Sequence, residues 1–163
     1  MNNIESLKYL GNKEKIEIKT PDKMELEIFE ISDLNNNKRI DVWKVLEFTT
    51  ICPKTQQPDY ARLLIQIIPN KFRFESKSFK LYCESFRTPK DDFKGSFHES
   101  TVELIAKKIN NAINPKYVQV VAIFSRRGNA SILPMYEIKN DKNCIPYSIS
   151  ELLCFNNINI FGE

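Results

Sequence analysis

Val102, Ile105, Ala106, Ile109, Ala112 and Ile113 recur at intervals of three and four, the period of a helix with one apolar face. No other stretch of the chain carries that pattern so cleanly, and it fixes the middle of the fold. Ser96-x-x-Glu99 just ahead reads as a capping box, and Pro115 ends the helix. On either side the signals are those of strands. Asp41 to Phe48 (DVWKVLEF) and Tyr60 to Ile68 (YARLLIQII) precede the helix. Tyr117 to Ser125 (YVQVVAIFS) and Ala130 to Ile138 (ASILPMYEI) follow it, around Arg126-Arg127-Gly128-Asn129. Pro69-Asn70 is expected to turn a hairpin between Tyr60–Ile68 and Lys71–Phe79. Met24 to Glu30 alternates as a further strand, and a shorter helix is expected over Phe79 to Phe86. Hairpin, helices, hairpin is the ββααββ order of an α+β domain, an antiparallel sheet with helices on one face.

A length of 163 residues fits one domain with a real core, spanning 1–163, with a polar arm over 1–22 and an Asn-rich tail over 140–163. The short apolar stretch in that tail is expected to pack on this subunit or a neighbouring one. Four glycines argue against a glycine-rich phosphate loop. Lys+Arg minus Asp+Glu is 24 − 21 = +3, too mild and too interspersed to mark a nucleic-acid binder. No run is long and apolar enough for a membrane span or a leader, so a soluble cytoplasmic protein is expected. His98 is the one histidine, and Cys52, Cys83, Cys144 and Cys154 form no Cys-x-x-Cys pair, so no metal is expected.

Three segments could carry chemistry, each with a plainer reading beside it. Cys52 ends a strand and enters a turn bracketed by Pro53 and Pro58, with Asp59 seven residues on. It is either a buried structural thiol or a nucleophile with Asp59 folded back as acid or base, and Lys54 is a nearby cation. His98-Glu99 opens the helix, where the glutamate either completes the cap or grips a donor pair on a guanine-like ring. Lys77 and Lys80, three apart, either line a solvated strand or reach one anionic ligand, to which Arg127 could add a guanidinium.

Taken together and in order, these segments resemble one family. Ile51-Cys52-Pro53-Lys54-Thr55, Gln57-Pro58-Asp59, Glu75 through Tyr82, Ser85-Phe86-Arg87, Phe97-His98-Glu99, Pro115-Lys116-Tyr117 and Arg127-Gly128 are similar to the single-module NADPH-dependent 7-cyano-7-deazaguanine reductases. The resemblance runs from about Asp41 to Tyr136, with a weak echo at Leu10-Gly11, and Glu-Ser-Lys-Ser-x-Lys is its most specific string. It implies a tunnelling fold (T-fold) whose subunits join edge to edge in a ring, as a decamer of two stacked pentamers. It implies that Cys52 attacks the nitrile to form a thioimide, that Asp59 supplies protons, and that His98 is a second proton carrier beside the substrate. Phe74, Glu75, Ser76, His98 and Glu99 match the residues that bind the free deazapurine base, and Lys77, Lys80 and Arg127 those that hold NADPH phosphates. Two NADPH per turnover would then yield the aminomethyl base used in queuosine biosynthesis for tRNA modification.

The chain departs from the family in places. Gln56 stands where Gly is common, so the loop must adopt a conformation that Gln tolerates. Arg126 and Asn129 differ from common choices, and Thr88 to Ser96 is a few residues longer than usual. Thr101 replaces a cysteine able to shield the nucleophile in a disulfide, a role open only to Cys83. Two alternatives remain: a non-reducing tunnelling-fold enzyme acting on a purine-like or pterin-like base, and a basic binding module without catalysis.

Overall fold

The computed structural model describes residues 16–31, 39–90 and 93–155. Residues 1–15 of the arm, Leu10-Gly11 among them, and the last eight of the tail lie outside the described residues. Four strands, β2 (Asp41–Ile51), β3 (Pro58–Ile68), β5 (Tyr117–Phe124) and β6 (Met135–Lys139), form an antiparallel sheet in the order β2-β3-β5-β6. Helices α1 (Ser76–Glu84) and α2 (His98–Ile113) lie between the two strand pairs in sequence. This is the ββααββ order expected from the sequence.

One face of the sheet builds the main core. Phe48, Ala61, Leu63, Ile65, Ile67, Val118, Val120, Ala122 and Phe124 meet Phe79, Tyr82 and Phe86 and the α2 stripe Val102, Ile105, Ala106, Ile109 and Ile113. Each such side chain contributes about 1.5–3 kcal/mol on leaving water, so the helical stripe alone outweighs any single cap. β5 (YVQVVAIF) reads as a continuous apolar run because its other face is covered too. There, α3 (Ile149–Phe155) sets Leu152 and Leu153 on Leu64 and Val121. The fully buried Gln66 carboxamide donates to Tyr147 O at 2.9 Å and accepts from Tyr147 N–H at 3.0 Å, a side chain standing in for a strand. The described part of the tail thus packs on its own sheet.

Three local expectations are corrected. Pro69-Asn70 does not turn a hairpin between its flanking runs. β3 already has β2 and β5 on its two edges, so β4 (Phe72–Phe74) pairs instead with β1 (Ile28–Glu30) in a separate two-stranded sheet. Lys71–Phe79 is also not one strand, because Glu75 accepts from the N–H groups of Lys77 and Ser78 and starts α1 there. Ser96-x-x-Glu99 is not a capping box. The Ser96 N–H goes to Ile51 O at 3.0 Å, Phe97 takes the cap position without a side-chain bond, and Asn114 closes α2 in the left-handed region at φ 42°.

Candidate active site

β2 and β3 are joined by the turn that follows Cys52, and the turn is tightly made. The Cys52 N–H donates to Gln57 O and the Gln56 N–H to Cys52 O, both at 2.9 Å. Gln56 sits at φ 57°, left-handed backbone that glycine enters without cost. Its carboxamide offsets that strain by donating to Pro53 O at 3.3 Å and Lys94 O at 3.0 Å, which ties the turn to the loop before α2. Gly95 completes the seam at φ +113°: a β-carbon there would lie 2.0 Å from Ile51 O. No larger residue fits.

That turn activates the thiol. Cys52 is 6% exposed, and its pKa is drawn down to about 7. The first cause is the Thr55 hydroxyl, which donates to the sulfur, followed by the backbone N–H groups of Thr55 and Lys54, with Arg127 adding a smaller contribution. Lys54, the nearby cation in the sequence, contributes through its peptide N–H rather than its ammonium. Peptide-resolved iodoacetamide labelling should reach half its maximal rate at Cys52 near pH 7. Cys83, whose thiol burial pushes up to about 12, should stay unlabelled through that range. A Cys52 midpoint above about pH 8.5, the ordinary thiol value, would remove the activated thiolate. All four cysteines are free, so Cys83 forms no disulfide with Cys52 here.

Asp59 is the second residue of β3, buried, with one carboxylate oxygen on Arg127 and the other 3.3 Å from His98 Nε2. His98 is the first residue of α2 and stacks on Phe124, centroids 3.8 Å apart and planes 20° off parallel. Burial lowers the His98 pKa against the opposing charge of Glu99, so the imidazole is neutral at pH 7. A neutral ring facing a carboxylate presents its N–H there. Thr55, Pro58, Asp59, His98, Arg126 and Arg127 line part of a cavity of about 330 Å³ beside the turn.

Sequence and structure diverge over the other site residues. Phe74 does not line this cavity; its ring packs 4.9 Å from both Trp43 and Phe79. The buried Glu75 carboxylate caps α1 and also accepts from Ser76 Oγ. Arg73 pairs with Asp41, which fixes this cluster, with Lys77 and Lys80 just beyond, at the start of β2. Cys52 lies past the other end of β2, eleven residues from Asp41 at about 3.3 Å each. The two clusters lie toward opposite ends of β2. Arg127 falls in the Cys52 cluster, held by Asp59. Glu99 is exposed in the first turn of α2, next to His98. Thr55, Gln56 and Gly95 are the contributors that sequence reasoning left out or left without a role.

A thiol of lowered pKa that shares Arg127 with a carboxylate, itself facing a neutral imidazole, can add sulfur to an electrophile and move protons. A family model described as QueF-like protein matches residues 58–143, and the chain belongs to that family. It is 43% identical over 111 residues to the NADPH-dependent 7-cyano-7-deazaguanine reductase of Bacteroides thetaiotaomicron, covering 66% of this chain and 70% of the relative. It is 37% identical over 139 residues to the protein of that name from Streptococcus thermophilus, covering 85% and 82%. Among solved structures, the apo form of an archaeosine synthase described as QueF-Like superposes with a TM-score of 0.54 at 20% identity, over 68% of this chain and all of that one. The fold is the tunnelling fold expected from the sequence.

Proposed function

We propose that the protein reduces the nitrile of 7-cyano-7-deazaguanine to the aminomethyl base with NADPH, in queuosine biosynthesis. The observation that carries this reading is the geometry around Cys52: Arg127 reaches both its sulfur and Asp59, and Asp59 faces His98 at 3.3 Å. The names of relatives at 37–43% identity support the substrate and the reductant.

The residues divide the work as follows. The Cys52 sulfur adds to the nitrile carbon: its proton passes to Asp59, an S–C bond forms, one C–N π bond breaks, and Asp59 hands that proton to the nitrogen, giving a thioimide. A carboxylate paired with a guanidinium has no proton to give, so Arg127 must release Asp59 before that transfer. His98, 3.3 Å from Asp59 and still in touch with the cavity, is placed to return the proton. NADPH would supply two hydrides, each matched by one proton from the Asp59 side: the first would give a thiohemiaminal that the S–C bond keeps in place, that bond would then break to free Cys52 and leave an imine, and the second would give the amine. Lys77 and Lys80 share the first turns of α1, where two ammonium groups fit a nucleotide phosphate, with Arg127 joining once it leaves Asp59.

The Glu75–Lys80 cluster sits at the far end of β2 from Cys52, so it serves the Cys52 of a neighbouring copy. The reading takes each chain as one domain of a homo-oligomer, a decamer of two pentamers as the family resemblance implies, with strand edges β2 and β6 covered by neighbours. Among the described residues no three His, Cys, Asp or Glu side chains gather as a metal site would need. A cytoplasmic location agrees with the described residues, none of whose helices is long and apolar enough to cross a membrane.

The test is NADPH absorbance in the presence of the nitrile base. Oxidation with formation of the primary amine is expected. Conversion of the nitrile without NADPH would favour the non-reducing alternative, and no conversion at all would overturn the reading. Lys77→Ala and Lys80→Ala should each raise the apparent KM for NADPH about tenfold, the loss of one charged phosphate contact, with adduct formation intact. Loss of the adduct without NADPH would remove the cofactor role of that lysine.

A further inference from the structure

Among the described residues, two buried side-chain hydroxyls find no hydrogen-bond partner, those of Thr20 and Thr50. Thr20 has the Asp22 carboxyl within reach in a surface turn. Thr50 has nothing comparable and is 0% exposed. An orphaned buried hydroxyl is a standing cost to folding, and valine would fill the same volume without it. Something other than stability must account for the threonine.

Its place in the sheet supplies the reason. Thr50 is the register partner of Asp59 across β2 and β3, and it lies two residues before Cys52 on the strand. Paired side chains on one face of an antiparallel sheet have β-carbons about 5 Å apart, so the hydroxyl adjoins the Asp59 carboxyl. That carboxyl is fully engaged, with Arg127 on one oxygen and His98 on the other. We propose that Thr50 is a positioning residue for Asp59: its hydroxyl takes up the carboxyl when Asp59 leaves Arg127 to receive and deliver a proton. Arg127 can only donate, and so it favours the charged form and cannot accept the O–H of the acid. A hydroxyl donates to a carboxylate and accepts from a carboxylic acid, and so it holds Asp59 in both states. This inference rests on Asp59 as the proton donor to the nitrile nitrogen.

Thr50→Val removes the hydroxyl and keeps the shape. Its kcat should fall about tenfold, as should the rate of adduct formation, while KM for the base and for NADPH stays within about twofold. Its melting temperature should be no lower than wild type. Thr50→Ser, which keeps the hydroxyl, should restore most of kcat. If Thr50→Val does not fold, the comparison passes to Thr50→Ala and Thr50→Ser, both lacking the methyl, and Ala should be the slower by about tenfold. A Thr50→Val kcat within about twofold of wild type overturns the inference, and so does equal turnover of Ala and Ser. A wild type that neither forms the adduct nor oxidises NADPH overturns the reading of the site, and the inference falls with it.

Discussion

Cys52→Ala is expected to abolish both turnover and the covalent adduct. Wild-type protein mixed with the nitrile base, without NADPH, should gain the mass of that base, and Cys52→Ala should gain nothing. Removing a nucleophile that acts in concert with its proton donor costs on the order of 10⁴–10⁶ in kcat, beyond the reach of any packing defect. The packing defect itself is small. Cys52 is held by its backbone, through Gln57 O and the Gln56 N–H, and these bonds survive the loss of the sulfur. Cys144→Ala and Cys154→Ala should keep near wild-type activity: Cys154 is exposed on α3, and Cys144 only approaches Lys116 O at 3.7 Å. An adduct that persists in Cys52→Ala would move the nucleophile elsewhere.

The parts of this molecule that could be read from sequence are those set by local periodicity. The α2 stripe faces the sheet as its spacing requires, and β2, β3 and β5 lie where alternation and apolar runs put them. The failures have a common cause in long-range competition. Pro69-Asn70 looks like a hairpin turn, but β3 prefers β5, whose partner residues lie 49 to 63 positions on, and no local signal announces that pairing. Ser96 looks like a cap, but its N–H is claimed by Ile51 O, and Gly95 must lie flat against Ile51 for that bond to form. In the site, Cys52 and Asp59 were legible as a pair because one turn joins them. The thiolate donors were not, because two are peptide N–H groups that every residue carries. Gln56 was legible as an anomaly, and its left-handed φ with three accepting carbonyls around its carboxamide shows how the turn tolerates it.

Glu99→Gln should weaken binding of the nitrile base by about 30-fold or more while leaving the fold in place. The two consequences separate because Glu99 is no cap. Phe97 holds the cap position, the Ser96 N–H is spent on Ile51 O, and the Glu99 side chain is exposed. Its remaining service to α2 is a negative charge in the first turn, worth about 0.3–1 kcal/mol against the helix dipole, so unfolding without ligand should shift by only a few degrees. Binding is a larger matter. The ring N–H and exocyclic amine of the base are adjacent donors, and a carboxylate accepts both, whereas an amide offers one oxygen and turns a donor toward the other. Leaving a desolvated donor facing a donor costs about 2–4 kcal/mol, roughly 30- to 1000-fold in the substrate concentration needed for adduct formation. Glu99 also stands beside His98, and its charge works against the burial that keeps that ring neutral. Removing the charge leaves His98 neutral, so the proton path to Asp59 persists and the loss should appear in binding rather than in the rate at saturating base. A Glu99→Gln protein that binds the base as tightly as wild type would make Glu99 a dipole residue only. The recognising carboxylate would then be Glu75, and the cap it now provides to α1 would have to be surrendered on binding.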